Sequence, residues 1–481
     1  MESTGKLSGK AKLSYALGAV GKDMVYMLSA SYVLYYFQDL LGVNAIAMGV
    51  ILMAARVFDA FNDPIMGVIV ARTRTRWGKF RPWLLIGTLT NAVVLFLMFS
   101  APPRLDGAGL TAYAAVTYIF WGVTYTMMDI PYWSMIPAFT QGGREREGLT
   151  TLARTSAGVG SAIVTVFTMM LVPMLGNMFA GANAGAKAIE IAGFQWFSLL
   201  VALLFVVFTV LTCLNVKERS TVSMDTVSVG QMFKALVQND QAMTVTIAIV
   251  LINTSIYITS NLVIYFFKYD FGTTGWNDAY VLFNMFGGAM QVLSMMVLYP
   301  LLRRKFTSLQ IFYICLGMAM AGYAVLLALT FTGMSSVFIL FVPAFFIFSA
   351  NGMLSVITTV FLANTVDYGE LKNHRRDESV IFSMQTFVVK LASGVAALVA
   401  SICLSVNHLQ SGTEVSEADK LVDWSLGVSA AAKTGLRFTM AVVPIAGLLI
   451  AFLWFRKRYQ LTDEKVAQIA DQVRARREKK P

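Results

Sequence analysis

Charged side chains are scarce in this 481-residue chain. Asp, Glu, Lys and Arg together make up 14% of it, whereas 57% of the residues are hydrophobic and the mean hydropathy is +0.65. A typical soluble domain carries about 25% charged residues. The composition therefore excludes a water-soluble globular protein of this length.

Histidine and cysteine are also rare. The two histidines, His374 and His408, fall between apolar runs, and the three cysteines, Cys213, Cys315 and Cys403, are scattered within such runs. This spacing predicts neither a disulfide framework nor a metal site. No zinc motif, phosphate-binding loop or nucleophile elbow is present. We therefore expect a protein that is not an enzyme and that needs no cofactor.

Long apolar runs are abundant, and a helix needs about 20 such residues to cross a bilayer. They predict an all-α membrane protein of twelve transmembrane helices. The polar start "MESTGKLSGKAK" is not followed by a cleavage site, so we expect the first helix to be retained. The runs are centred near residues 26, 57, 92, 123, 162, 204, 255, 288, 320, 347, 392 and 444.

The net charge of +11 is unevenly distributed between the loops. Basic residues gather in alternate loops, such as "RTRTRWGKFR" and "LRRKF", whereas the intervening loops are acidic or poor in basic residues. By the positive-inside rule this pattern places both termini in the cytoplasm, with membrane lipids rather than nucleic acid as the partner of the basic tail. We expect a multi-pass protein of a bacterial inner membrane.

A polar stretch at residues 216–241 divides the chain into two halves. Residues 1–215 and 242–460 then form two pseudo-symmetric six-helix bundles, and residues 461–481 form a basic cytoplasmic tail. A cation occupies the fifth helix of each half, Arg154 in the first and Lys390 in the second. Such paired bundles are typical of major-facilitator transporters, although receptors and membrane enzymes also contain repeats.

The stretch "ARVFDAFNDP" places two carboxylates inside an apolar run. Asp59 and Asp63 are one helical turn apart, face the same way and repel each other. A small cation such as Na⁺ would relieve this repulsion, with Asn62 adding an oxygen ligand. A proton that raises one pKa, or a structural ion pair with Arg56, would do the same.

A second carboxylate lies among aromatic residues, in "YTMMDIPYWS". Tyr125, Asp129 and Trp133 recur every four residues and so share one helix face. A carboxylate beside aromatic rings suits a sugar, although the rings also fit a plain packing role. Thr126 lies one step around the helix and can turn its hydroxyl toward the second helix.

Cations accompany these carboxylates at similar estimated depths. Lys22 adjoins Asp23 in the first helix, and Lys390 follows Gln385 and Thr386 in the eleventh. A charge inside a membrane usually faces a counter-charge or a polar cavity. We therefore expect a shared polar cavity.

The motifs "ARVFDAFNDPIMG", "TRTRWGKFRPW", "YTMMDIPYWS", "REREGLTTLAR", "NTVDYGE" and "SMQTFVVK" resemble those of the glycoside–pentoside–hexuronide:cation symporters. The resemblance implies the major-facilitator fold and import of a glycoside or galactoside such as melibiose, driven by Na⁺ or by H⁺ or Li⁺. A proton-coupled carrier of a hexuronide, pentoside or lysolipid, or an integral membrane enzyme, remains the alternative.

Carried over by motif, the resemblance assigns two groups of residues. The cation-binding residues are Asp59, Asn62, Asp63 and Thr126, with Asp59 and Asp63 as the Na⁺ ligands. The sugar-binding residues are Lys22, Asp23, Tyr125, Asp129, Trp133, Arg154, Gln385, Thr386 and Lys390. One position departs from the pattern: Ser355 stands where the melibiose-transporting branch has a tryptophan, so the pocket should have a different shape there.

Overall fold

The computed structural model describes most of the chain. The described residues are 7–140, 143–180, 184–218, 237–271, 276–332, 336–373, 378–409 and 423–478. Most of the predicted middle loop at 216–241 lies outside them. Of the two histidines, His374 lies outside the described ranges and His408 lies inside them.

Long helices dominate the described ranges, and no strand occurs there. The twelve helices of 18 or more residues are α1 Gly9–Leu34, α2 Ala45–Arg72, α3 Arg81–Met98, α4 Gly107–Phe139, α5 Gly143–Phe179, α6 Ala186–Asn215, α7 Asp240–Phe266, α8 Trp276–Leu293, α9 Ser308–Thr332, α10 Phe341–Asn373, α11 Glu378–Val406 and α12 Ala430–Arg458. A polar helix, α13 Asp463–Glu478, follows them.

The predicted all-helical fold is confirmed, and the twelve helices lie where the apolar runs predict them. Within the described ranges eight helices are long and apolar enough to span a membrane, or nine if the bent pair Gly143–Thr168 and Met170–Phe179 is one span. Helices α1, α2 and α4, with 26, 28 and 33 residues, are also long enough to cross a bilayer. Helix α10 continues past its apolar run, through polar residues, to Asn373.

The chain divides into two compact units. The first comprises Met1–Asn239, Ala363–Phe387 and Ala467–Pro481, and the second comprises Asp240–Leu362 and Val388–Val466. The first unit thus contains α1–α6 together with the end of α10 and the beginning of α11. The second contains α7–α9, the beginning of α10, the remainder of α11 and α12.

Glycines bring the helices of the first unit close together. A Cβ atom on Gly160 of α5 would meet the backbone of Val20, and one on Gly21 of α1 would meet the Cα of Phe205 in α6. Helix α1 therefore packs closely against both α5 and α6. This packing holds Lys22 and Asp23, the next residues of α1, in a fixed position inside the unit.

The first helical turn of α3 is held by Glu218, which follows α6. The Glu218 carboxylate accepts hydrogen bonds from the backbone N–H groups of Lys79, Phe80 and Arg81, at 2.7, 2.9 and 3.1 Å. Gly78 has a positive φ of 109°, and a Cβ there would lie 2.5 Å from Glu218 Oε1. The carboxylate thus satisfies N–H groups that lack partners at the start of a helix.

Arg146 of α5 is almost fully buried, with 1% of its side chain exposed. Its guanidinium forms an ion pair with Asp367 at 2.7 Å and donates to Thr140 Oγ1 and to the Ala363 carbonyl oxygen, both at 3.1 Å. It also lies 3.2 Å from Asn364 Oδ1. Arg146 therefore ties the end of α10 into the first unit.

In the second unit α7 packs against α12. Aromatic side chains from α10 and from the end of α12 pack together in the same unit. Phe361 is buried and its ring lies 5.4 Å from Phe455 and 4.8 Å from Tyr459. Just after α7, Asp270 accepts two hydrogen bonds of 2.8 and 2.7 Å from the Arg437 guanidinium of α12.

Candidate functional site

Helices α2 and α4 place the paired carboxylates of the sequence motif against two small residues. Asp63 is fully buried, and its Oδ1 accepts a hydrogen bond of 2.9 Å from the Thr126 hydroxyl. One turn away, a Cβ on Gly122 would lie 2.8 Å from Asp59 Oδ1. Asp59 thus faces Gly122, and Asp63, one helical turn later, faces Thr126. The expectation that Thr126 points to the second helix agrees with this geometry.

The other polar residues of α2 differ in their surroundings. Asn62 is half-buried, and its Nδ2 has no hydrogen-bond partner among the described residues. Arg56 is exposed. A structural ion pair between Arg56 and Asp59, one of the alternatives open from the sequence, stays a hypothesis. The oxygen atoms of Asp59, Asn62, Asp63 and Thr126 have the chemistry that hard cations prefer.

Lys22 forms the centre of a second group. Its Nζ lies 2.8 Å from Asp129 Oδ1 and 3.1 Å from Asp23 Oδ2, and it donates a 3.1 Å hydrogen bond to the Tyr125 hydroxyl. Lys22 is 4% exposed. Two carboxylates and a phenol offset the cost of burying this ammonium.

Aromatic side chains form one wall of this group. Trp133 Nε1 donates a 3.1 Å hydrogen bond to Asp129 Oδ1, and the Arg154 guanidinium lies 3.9 Å from the Trp133 ring centre. The Tyr125 ring stacks on Trp121 with centroids 5.2 Å apart. Carboxylates, cations and indole faces together can bind sugar hydroxyl groups on one side and the apolar C–H face on the other.

Two tyrosines fix α1 against α4 beside this group. The Tyr15 hydroxyl donates to the Tyr132 carbonyl oxygen at 2.5 Å, and the Tyr132 hydroxyl donates to the Tyr15 carbonyl oxygen at 2.7 Å. Their rings stack with centroids 4.4 Å apart. This reciprocal pair sets the distance between the helices that carry Lys22 and Asp129.

The predicted residues of α11 lie at half-buried positions. Gln385 and Thr386 belong to the first unit, and the Thr386 hydroxyl donates to the Phe382 carbonyl oxygen at 3.2 Å. Lys390 belongs to the second unit. Their assignment to a sugar site stays a prediction.

Sequence reasoning missed Gly122, Tyr15 and Tyr132. Glycine carries no chemistry of its own, so Gly122 becomes informative only when α2 and α4 are seen side by side. A weak signal was available, since Gly122 precedes Thr126 by one helical turn. The tyrosine pair has no local signal, because its partners are 117 residues apart.

The chain matches a family of known proteins over most of its length. The family described as MFS/sugar transport protein matches residues 14–463. The raffinose carrier protein of Pediococcus pentosaceus is 28% identical over 96% of this chain and 71% of that protein. The isoprimeverose transporter of Lactiplantibacillus pentosus is 27% identical over 86% of this chain and 84% of that protein.

Solved structures show the same fold. The major facilitator superfamily transporter FucP, in an outward conformation, matches with a TM-score of 0.66 and 13% identity over 94% of this chain and 98% of that one. The proton:xylose symporter XylE matches with a TM-score of 0.64 and 13% identity over 96% of this chain and 98% of that one. The expected major-facilitator fold is therefore confirmed.

Proposed function

Because the chain belongs to the MFS/sugar transport protein family, and is thus a membrane transporter rather than an enzyme, we propose that it imports a glycoside by symport with Na⁺. One observation carries this proposal. Helix α4 bears Thr126, which is bound to Asp63, and three residues later Asp129, which is bound to Lys22. One rigid element therefore contacts both candidate sites.

The coupling follows from charge. A cation beside Asp59 and Asp63 offsets their repulsion and keeps Thr126 and α4 next to α2. Asp129 is then held where a sugar hydroxyl can donate to it, while Lys22 supplies a donor to the same sugar. Since the two sites share α4, sugar binding and cation binding strengthen each other by the same factor.

The proposed substrate class is inferred from the residues of the first unit and from the names of the similar proteins. Proteins named as raffinose, lactose and isoprimeverose carriers share over a quarter of their aligned residues with this chain. Asp23, Asp129 and the Trp133 ring suit an uncharged pyranose. Lys22 and Arg154 balance the charges of Asp23 and Asp129, so the group has no surplus positive charge that would attract the carboxylate of a hexuronide.

The proposal also places the protein in a bacterial inner membrane with both termini in the cytoplasm. The supporting observation is the gathering of basic residues in alternate loops and in the tail. Labelling of a cysteine introduced near the C-terminus in right-side-out and inverted vesicles tests this orientation. Labelling only in inverted vesicles is expected.

A sugar-uptake panel in membrane vesicles tests the function. We expect uptake of a neutral glycoside that Na⁺ stimulates, loss of this stimulation in Asp59→Asn and Asp63→Asn, and loss of sugar binding in Asp129→Asn. Arg56→Gln, on the same helix but exposed, should keep Na⁺ stimulation. Uptake that responds to a pH gradient and not to Na⁺ would show that H⁺, rather than Na⁺, is the coupling ion. Conversion of the sugar into a new product would overturn transport altogether.

A further inference from the structure

The loop between α2 and α3 exposes a tryptophan among cations. Trp77 is 65% exposed, and the nearby Arg74 and Arg76 are exposed as well. Residues 72–81 include four arginines and one lysine, whereas no acidic residue occurs within residues 64–105. Tryptophan is highly buried on average, so an exposed indole in a basic loop indicates a surface for a partner.

A hydrogen-bonded turn holds Trp77 in this exposed position. The Trp77 backbone N–H donates to Thr75 Oγ1 at 3.2 Å, and the Thr75 hydroxyl donates to the Gly78 carbonyl oxygen at 2.7 Å. The Gly78 N–H donates to the Thr75 carbonyl oxygen at 3.1 Å. Glu218 binds the backbone of the residues that follow. The exposure of the indole therefore belongs to a defined loop conformation.

Helix α3 fixes the depth of the loop. It has 18 residues, is apolar enough to span a membrane and is about 27 Å long. The hydrocarbon core of a bilayer is about 30 Å thick, so Arg81, the first residue of α3, lies at the edge of this core. The headgroup layer begins at that edge, and the chain between Arg81 and Trp77 spans at most about 14 Å. Trp77 is therefore within reach of the lipid headgroups.

A second indole lies at the same end of α3. Trp83 is half-buried, and its Nε1 donates a 2.6 Å hydrogen bond to Thr73 Oγ1 in the loop. Tryptophan is enriched where a membrane meets water, because one part of the ring system is apolar and its N–H is polar. The two indoles thus fit the membrane interface.

The cations of this loop differ in what they contact. Lys79 Nζ lies 3.5 Å from Glu378, and Arg81 Nε donates to the Val216 carbonyl oxygen at 2.7 Å. These two cations hold the loop against the protein. Arg74 and Arg76 extend from the same loop to the surface, on the side of the chain where Trp77 is exposed.

We propose that Arg74, Arg76 and Trp77 form an interaction surface for the headgroup of an anionic phospholipid. The guanidinium groups bind the phosphate through paired N–H donors, and the indole lies at the boundary between headgroups and acyl chains. The charge of the loop complements an anionic headgroup better than a zwitterionic one, which brings its own cation. A lipid fits better than a soluble protein, because α3 leaves the loop at the level of the headgroups.

Tryptophan fluorescence in vesicles of phosphatidylglycerol and phosphatidylcholine tests the inference. One of the two lipids is brominated near the glycerol end of its acyl chains, so that it quenches indoles beside it. The difference between wild type and Trp77→Phe isolates the contribution of Trp77. We expect this contribution to show a preference of at least about fivefold for phosphatidylglycerol, since a basic residue near an anionic surface contributes about that factor.

Arginine variants show which side chains cause the preference. Arg74→Gln combined with Arg76→Gln should reduce it to below about twofold. Arg104→Gln, which changes an exposed arginine beyond the other end of α3, should keep it and serves as the control. Glycerol 3-phosphate in solution should not compete with the brominated phosphatidylglycerol, because it lacks the acyl chains that place a lipid beside Trp77.

Four results would overturn the inference. Equal quenching of Trp77 by both lipids would show insertion without recognition of the headgroup, and no quenching by either would leave the surface to a soluble partner. An unchanged preference in the double arginine variant would place its cause elsewhere. Competition by glycerol 3-phosphate would assign the loop to a soluble phosphate. None of these measurements involves sugar or Na⁺, so the proposed function is tested separately.

Discussion

At the scale of single residues, Gly122 defines how close Asp59 can approach α4. A Cβ at this position would lie 2.8 Å from Asp59 Oδ1, which is closer than nonbonded atoms allow. The neighbour is the end of a side chain, so an added methyl group should displace the carboxylate rather than the helix. Gly122 thus controls the position of the Asp59 carboxylate.

Gly122→Ala should therefore weaken cation binding selectively. We expect the Na⁺ concentration for half-maximal stimulation of uptake to rise about tenfold, which corresponds to about 1.4 kcal/mol. Sugar binding in the absence of Na⁺ should stay unchanged. Gly49→Ala on the same α2 that carries Asp59 is the control, because a Cβ there meets no atom within 4 Å. An unchanged Na⁺ dependence in Gly122→Ala would argue against the assigned cation site.

Ser355 is the second position where a single side chain matters. It is half-buried on α10, its hydroxyl donates to the Gly352 carbonyl oxygen at 2.7 Å, and it lies 3.5 Å from Met295 Sδ. Phe361 does not replace a missing aromatic ring here, because its ring packs with Phe455 and Tyr459.

Ser355→Trp should narrow the range of glycosides that are transported. The indole should exclude bulky aglycones and leave small ones, whereas Ser355→Ala should keep the full range. Competition by aglycones of graded size against uptake measures this range. Uniform loss for every aglycone would instead indicate overpacking against Met295, which typically costs about 1–3 kcal/mol.

At the scale of elements, the positions of the helices follow from hydropathy. Apolar runs predict twelve helices because crossing a bilayer requires a local property, a stretch of about 20 apolar residues. Helix α10 ends later than its apolar run, since it continues through "ANTVDYGELKN", where Asp367 binds Arg146. Arg146 lies more than 200 positions away, so the local sequence does not predict this ion pair.

The start of α3 depends on a carboxylate from outside the helix. Glu218→Ala should remove three hydrogen-bond acceptors and lower the free energy of unfolding by about 1–3 kcal/mol. Glu218→Gln keeps an acceptor oxygen and loses the charge that favours a helix N-terminus, so it should fall in between. Thermal melting in detergent measures the difference. A melting temperature of Glu218→Ala equal to that of the wild type would mean that water or another group caps α3.

At the scale of the whole molecule, Arg146 joins segments that are distant in the chain. Its partners Ala363, Asn364 and Asp367 belong to α10, yet they lie in the first compact unit with α5. Removing one partner of a buried ion pair leaves the other charge without compensation.

Arg146→Ala should accordingly destabilise the protein by about 3–5 kcal/mol. Arg144→Ala, two residues earlier on α5 and exposed, should have little effect and serves as the control. Melting curves of the two purified variants give the comparison. Equal melting of both variants would show that the Arg146 guanidinium contributes no net stability.

The sequence by itself determined the membrane class, the helices and the types of residue that carry charge inside them, because hydropathy, periodicity and i, i+4 spacing are properties of a short stretch of chain. It also predicted that Asp129 and Trp133 share a face, and the 3.1 Å hydrogen bond between them agrees. Only the tertiary structure decided that Lys22 binds Asp129 as well as Asp23, that Gly122 faces Asp59, and that Tyr15 and Tyr132 bind each other. These contacts join different helices, and the packing that sets their distances depends on glycines and side chains from the whole unit.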